Sequence, residues 1–142
     1  LSLKKIDLDS SESEEYYKFS YELGIVQKNT EKLRNKLFGI ECNFEELNGI
    51  DFKKGCYVGQ ENTSRIKLRN KLSKRLLPIQ LIEGKLIEGS PIKNNDNEIG
   101  KVLINDQYPF AIIKYLSDYF DPKIEYKSEE AILKIIKPDW IK

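Results

Sequence analysis

After Asn70 the texture of this chain changes, and that change constrains its fold more than any other feature. Short apolar runs follow one another with turn residues between them. Leu72 to Ile82 is β-like and broken by Pro78; Glu83-Gly84 and Glu88-Gly89 punctuate it. Pro91 to Lys93 reads as a short strand, Asn94 to Asn97 as a tight turn, and Glu98 to Ile104 as another strand. Tyr108 to Leu116 is rich in β-formers, and Ala131 to Ile136 completes the set. Five or so strands with turns every eight to twelve residues predict a small antiparallel barrel or sandwich. A domain boundary is expected near residues 69–73.

The first half reads differently. Leu1 to Leu8 alternates imperfectly and suits an entering strand. Ser10 and Ser11 offer an N-cap, and Glu14 stands three residues after Ser11 as in a capping box. Tyr16, Tyr17, Phe19, Tyr21 and Leu23 then recur at helical spacing up to Gly24, which predicts a helix over 12–23 stopped by that glycine. The three tyrosines are expected in the core or at an interface. Thr30 to Phe38 reads as a short helix or turn, and so does Asn43 to Leu47, with Asn43 capping and Glu46 three residues on. Asn48-Gly49 signals a turn, and Ile50-Asp51-Phe52 a short extended piece. Each half is about 70 residues, too small for a comfortable independent core, so the halves are expected to pack together or on a preceding segment.

Composition removes several chemistries. With no histidine in 142 residues, imidazole bases, histidine-bound zinc and cysteine–histidine pairs are excluded within this chain. Its two cysteines, Cys42 and Cys56, make no disulfide framework and cannot supply the four thiolates of a usual iron–sulfur site. No metal site is expected. Net charge is +1, so no global field draws the chain to nucleic acid or membrane. No membrane span or signal peptide is visible, and the expectation is a soluble, cytosolic chain. The lack of any methionine reads as a fragment or trimmed product.

One segment has the character of a site: Lys54-Gly55-Cys56-Tyr57-Val58-Gly59-Gln60-Glu61, leading into a helix-compatible stretch to Lys67. Glycines on either side of a cysteine let a ligand or another backbone approach closely. A helix start after Tyr57 would favour the Cys56 thiolate by ~0.3–1 kcal/mol, which is under one pKa unit. Lys53 and Lys54 add to that. A buried structural cysteine is the alternative at even odds. Gln60 is read mainly as holding the loop. Glu61 can pair with Lys54 or, four residues on, with Arg65, at ~0.3–0.5 kcal/mol if exposed. Arg65, Lys67, Arg69, Lys71, Lys74 and Arg75 form a basic run, read as a solvated junction or as a docking surface for an acidic partner or RNA. No aromatic residue interleaves it, so base stacking is unsupported. Pro138-Asp139-Trp140 is expected to anchor the chain end, the indole plugging the barrel.

The octapeptide with Arg65, and its lead-in Glu41-Cys42-Asn43-Phe44 through Leu47-Asn48-Gly49-Ile50-Asp51-Phe52, resembles the YgfZ folate-binding family, relatives of the glycine cleavage T-protein. Lys74-Arg75-Leu76 and Pro138-Asp139-Trp140 match its tail more loosely, so the resemblance spans about 15–140. It implies an α+β chain. Residues 1–70 would end a T-protein-like central α/β domain with the Cys56 loop, and 71–142 would form the barrel. It implies tetrahydrofolate or a one-carbon derivative as ligand and Cys56 as the essential thiol. Lys54, Gly55, Tyr57, Gly59, Gln60, Glu61 and Arg65 would form the loop or touch the ligand. The implied role is a one-carbon-transferase-like protein supporting assembly or repair of iron–sulfur enzymes, some of them tRNA-modifying. The implied partners are the N-terminal part of the same protein, iron–sulfur proteins or their assembly machinery, and RNA through 65–75; no membrane. The location would be bacterial cytoplasm or, in a eukaryote, the mitochondrial matrix. Ser20 departs from the pattern, standing where family members often carry arginine. A folate-dependent aminomethyltransferase is the rival enzyme class, but no acidic residue matches its catalytic position. An RNA or protein docking module is the third.

Overall fold

Strands buried on one face alternate apolar and polar residues, whereas strands covered on both faces become continuously apolar. Both patterns occur here. A computed structural model describes residues 10–53 and 73–141, with side chains from Ser13 onward. Six strands close into an antiparallel barrel: β1 (Arg75–Glu83), β2 (Pro91–Asn94), β3 (Asn97–Ile104), β4 (Phe110–Ile113), β5 (Glu125–Ser128) and β6 (Ala131–Ile135). The order around the barrel is β1-β4-β3-β2-β5-β6. The expected small barrel is therefore observed, after a helical segment.

Leu77, Ile79, Ile99, Val102, Ile113, Tyr126 and Leu133 fill the barrel interior. A second cluster lies outside it, where Leu76, Leu103, Ile104 and Phe110 are covered by Tyr21, Val26, Leu33, Leu37 and Cys42. Two cores explain the unbroken runs Leu76-Leu77-Pro78-Ile79 and Val102-Leu103-Ile104, every residue of which is buried. By contrast β6 alternates, burying Ala131, Leu133 and Ile135. Register shifts in β1, β2 and β3 mark bulges, which bend strands and tighten their twist so that short ones can close.

Pro78 does not interrupt β1. The strand pairs with β4 up to Pro78 and with β6 from Ile79 onward. The proline sits where the partner changes, so its missing N–H costs no ladder bond, while its carbonyl accepts Ile136 N–H at 2.9 Å. β4 is shorter than the β-rich stretch Tyr108–Leu116 suggests. β5 was not expected at all, because Glu-Tyr-Lys-Ser shows one apolar side chain; pairing with β6 across Glu129-Glu130 makes it a strand. Glu129 takes φ 53° in that turn, as Asn95 takes φ 52° in the β2–β3 turn.

Helix α1 spans Ser10–Glu22 and ends in the left-handed Gly24. Ile25 N–H bonds Ser20 carbonyl at 2.8 Å and Gly24 N–H bonds Tyr21 carbonyl at 2.9 Å, the paired closure of a Schellman motif. The Ser10 and Ser11 side chains of the expected cap lie outside the described residues, whereas the Glu14 side chain is described. Its carboxylate accepts Tyr108 Oη at 2.8 Å and pairs with Lys28 at 3.3 Å, holding α1 against the barrel. These donors, Tyr108 first and Lys28 next, lower its pKa. Of the three tyrosines, Tyr21 packs edge-on to Phe110 and its hydroxyl donates to Ile79 carbonyl at 2.5 Å. Tyr17 lies under Lys28 Nζ at 4.1 Å, and Tyr16 is half exposed, outside any core. Thr30–Leu33 is a short 3-10 turn, and Lys32 and Lys36 both reach Glu88 at 3.2 Å.

The C-terminal anchor returns to the helix. Trp140 packs against the interior cluster, and its indole N–H donates to Leu23 carbonyl at 2.9 Å, satisfying an orphan group at the end of α1. Gly24 lies in this junction, where a Cβ would come within 2.8 Å of the Pro138 ring. Gly24→Ala meets both that contact and φ +73°, so it should destabilise the fold by more than about 1 kcal/mol. Urea unfolding checks this; an unchanged midpoint would refute the account of the junction.

Candidate functional site

The segment between Gly24 and Lys53 is a chain of turns, and asparagines in the left-handed region shape it: Asn29, Asn35, Asn43 and Asn48. The Asn48-Gly49 turn is as expected, with Gly49 N–H on Phe44 carbonyl at 2.6 Å. Asn43 caps no helix. It is buried, its amide donates to Leu76 carbonyl at 2.9 Å, and its oxygen accepts Arg75 Nη1 at 2.9 Å. Glu46, expected in a capping role, pairs with Arg75 Nη2 at 2.6 Å. Glu41 carbonyl accepts Leu76 N–H at 2.8 Å. Ile50, Asp51 and Phe52 form no strand; Asp51 instead takes Lys53 N–H at 2.8 Å.

Arg75 therefore leaves the basic run. Its guanidinium is spent on Asn43 and Glu46 and lies 5.7 Å from the Tyr115 ring centre, whereas Lys74 is exposed. Residues 65–71 of that run lie outside the described residues. So does the whole octapeptide, Lys54, Gly55, Cys56, Tyr57, Val58, Gly59, Gln60 and Glu61, and the Glu61–Arg65 and Lys54–Glu61 pairs with it. What the structure shows is its mounting. The chain leaves the described structure at Lys53 and re-enters at Ser73, and both flanks are tied to the 39–49 turns. Ile50 N–H bonds Phe44 carbonyl at 3.1 Å on one side, and Arg75 and Leu76 bond Asn43, Glu46 and Glu41 on the other.

Beside this mounting lies a groove of about 320 Å³, walled by Val26, Leu33, Leu37, Phe44 and Leu47 with Leu76 among its lining and Arg34 and Thr30 as its polar side chains. Sequence reasoning missed it, because its walls come from turns with no periodicity. Cys42 also lines it. This thiol is free; burial first, and the Glu41 carboxylate second, push it up to about 11. It is neutral near pH 7 and packs as a small apolar group rather than acting as a nucleophile. Among the described residues no cluster of histidine, cysteine or acidic side chains could hold a metal ion, and no helix is long and apolar enough to cross a membrane.

No protein-family model matches the chain. Individual proteins do. Over 61 residues it is 46% identical to the mitochondrial iron–sulfur cluster assembly factor IBA57 homolog of Aspergillus oryzae, a match covering 43% of this chain and 14% of that protein. The chain is similar to iron–sulfur cluster assembly factors. The corresponding protein of Neurospora crassa is 42% identical over 72 residues, 51% of this chain and 16% of the relative. That of Dictyostelium discoideum is 39% identical over 71 residues, 50% and 17% respectively. The chain thus spans under a fifth of the length of these curated relatives.

Two outcomes test this geometry. Arg75→Met strands the Asn43 oxygen and the Glu46 carboxylate, and should cost about 1–3 kcal/mol by chemical denaturation, against nearly nothing for Lys74→Met. Alkylation of Cys42 by iodoacetamide, followed by peptide mass spectrometry, should keep rising from pH about 8 to 10. A plateau near the ordinary thiol value of about 8.5 would show the thiol to be unburied.

Proposed function

We propose that this chain is the C-terminal part of an iron–sulfur cluster assembly factor of the YgfZ kind, acting in assembly or repair of client enzymes. The observation that carries the reading is the 46% identity with the Aspergillus oryzae assembly factor, repeated at similar levels in Neurospora and Dictyostelium. The Cys56 octapeptide supports the finer assignment. The cluster itself is cargo for this protein rather than a resident group, since two cysteines without histidine supply too few ligands. In a eukaryote the mitochondrial location of these relatives would extend to this chain; in a bacterium the same role is cytoplasmic. Tetrahydrofolate-dependent action and tRNA-modifying clients belong to the same proposal.

Folate fits only part of what the chain presents. Ser20, the position at which the family resemblance leads to arginine, is buried at the C-terminal turn of α1 and carries no charge. Ser20 therefore supplies no charged folate contact, and the 54–65 stretch is the part of this chain that the resemblance assigns to the ligand, with the rest of the channel supplied by the preceding domain. In that arrangement the 39–49 turns and the Arg75 junction adjoin the described flanks of the 54–61 segment, in whose sequence Cys56 follows Gly55 and precedes Gly59.

The deciding experiment is complementation. Full-length protein should restore iron–sulfur enzyme activity in a strain lacking its assembly factor, and Cys56→Ala should abolish the rescue while the protein accumulates normally. Undiminished rescue by the variant would remove the thiol from the mechanism, and failure of the unaltered protein would remove the function.

A further inference from the structure

Four cations line the stretch from Lys28 to Lys36, and three are engaged. Lys28 pairs with Glu14, and Lys32 and Lys36 with Glu88. Arg34 makes no ion pair with any described residue, yet it lines the apolar groove together with Thr30. The nearby Glu41 carboxylate is turned into its own loop, accepting Phe38 N–H at 3.0 Å. A concave apolar wall of this volume, with a guanidinium that pairs with no described residue, matches the usual composition of a small-molecule site. The positive group selects the sign of the ligand, and a planar guanidinium matches a carboxylate through two parallel hydrogen bonds.

We propose that the groove between the 24–47 turns and Leu76 binds a free aliphatic carboxylate, its tail against Leu33, Leu37 and Phe44 and its head on Arg34 and Thr30. Nothing in this assignment depends on the iron–sulfur role; it follows from the wall chemistry and the charge left over. The protonated, packed Cys42 is compatible with an apolar tail, and it reports occupancy from inside the groove.

Calorimetry of the 142-residue chain with decanoate, decanol and decylammonium tests it. Decanoate should bind one to one, decanol about tenfold more weakly, and decylammonium not measurably. Arg34→Gln, an exposed position that should fold normally, should bring decanoate down to the level of decanol and leave decanol unchanged. Saturating decanoate should slow N-ethylmaleimide labelling of Cys42, read by peptide mass spectrometry. Equal binding of the three ligands, decanoate binding untouched by Arg34→Gln, or unprotected Cys42 would each overturn the proposal. So would binding confined to phosphatidylglycerol vesicles, or a dimer of the chain that closes the groove and that decanoate does not dissociate.

Discussion

At Pro78 the first strand changes neighbours, and the two half-edges that this leaves are what the N-terminal half of the chain is fitted to. Before the proline, the side of β1 away from β4 has no described strand beside it, and Leu76 turns its N–H and carbonyl outward there. Glu41 carbonyl and the Asn43 amide close both groups. After the proline the open side is the other one; Ile79 gives its N–H to Pro109 carbonyl and its carbonyl accepts the Tyr21 hydroxyl. Buried backbone groups left without partners would each cost about as much as a lost hydrogen bond, and an exposed edge would invite pairing with other chains. The turns and α1 thus complete the barrel rather than decorate it.

Joining the halves in this way also ties the described flanks of the Cys56 segment to one set of turns. The flank that follows it begins β1, where Arg75 and Leu76 bond Asn43, Glu46 and Glu41, so the turns that precede the segment and the packing of the barrel are coupled. The same coupling accounts for the second core: Leu76, Leu103, Ile104 and Phe110 need cover on their outer side, and the turns that deliver the loop supply it.

Much of the barrel was legible from sequence. Runs such as Pro91–Lys93 and Glu98–Ile104 carry strand composition between turn residues, and Gly24 marks the helix end by its freedom at positive φ. What failed to show has common physical causes. β5 is a strand through pairing, not composition. Asn43, Glu46 and Arg75 looked like caps and a surface cation because their true partners are about thirty positions away. The groove has no periodic signature, since irregular turns place its walls. The octapeptide remains a sequence observation, with its flanks now located on the structure.

The indole of Trp140 and the carbonyl of Leu23 are 117 positions apart. During synthesis α1 leaves the ribosome early and its Schellman turn can form locally, but Pro138 and Trp140 become available to that turn only near the end of the described chain. At about 5–20 residues per second, seconds separate the two events. Through that interval the end of α1 waits with one carbonyl facing water, its aromatic face without the barrel beneath it, and the assembly turns without β1. Ordering of the 39–49 turns is thus coupled to completion of the barrel, so a chain truncated before β1 would leave Asn43 and Glu46 without the partners that β1 brings them.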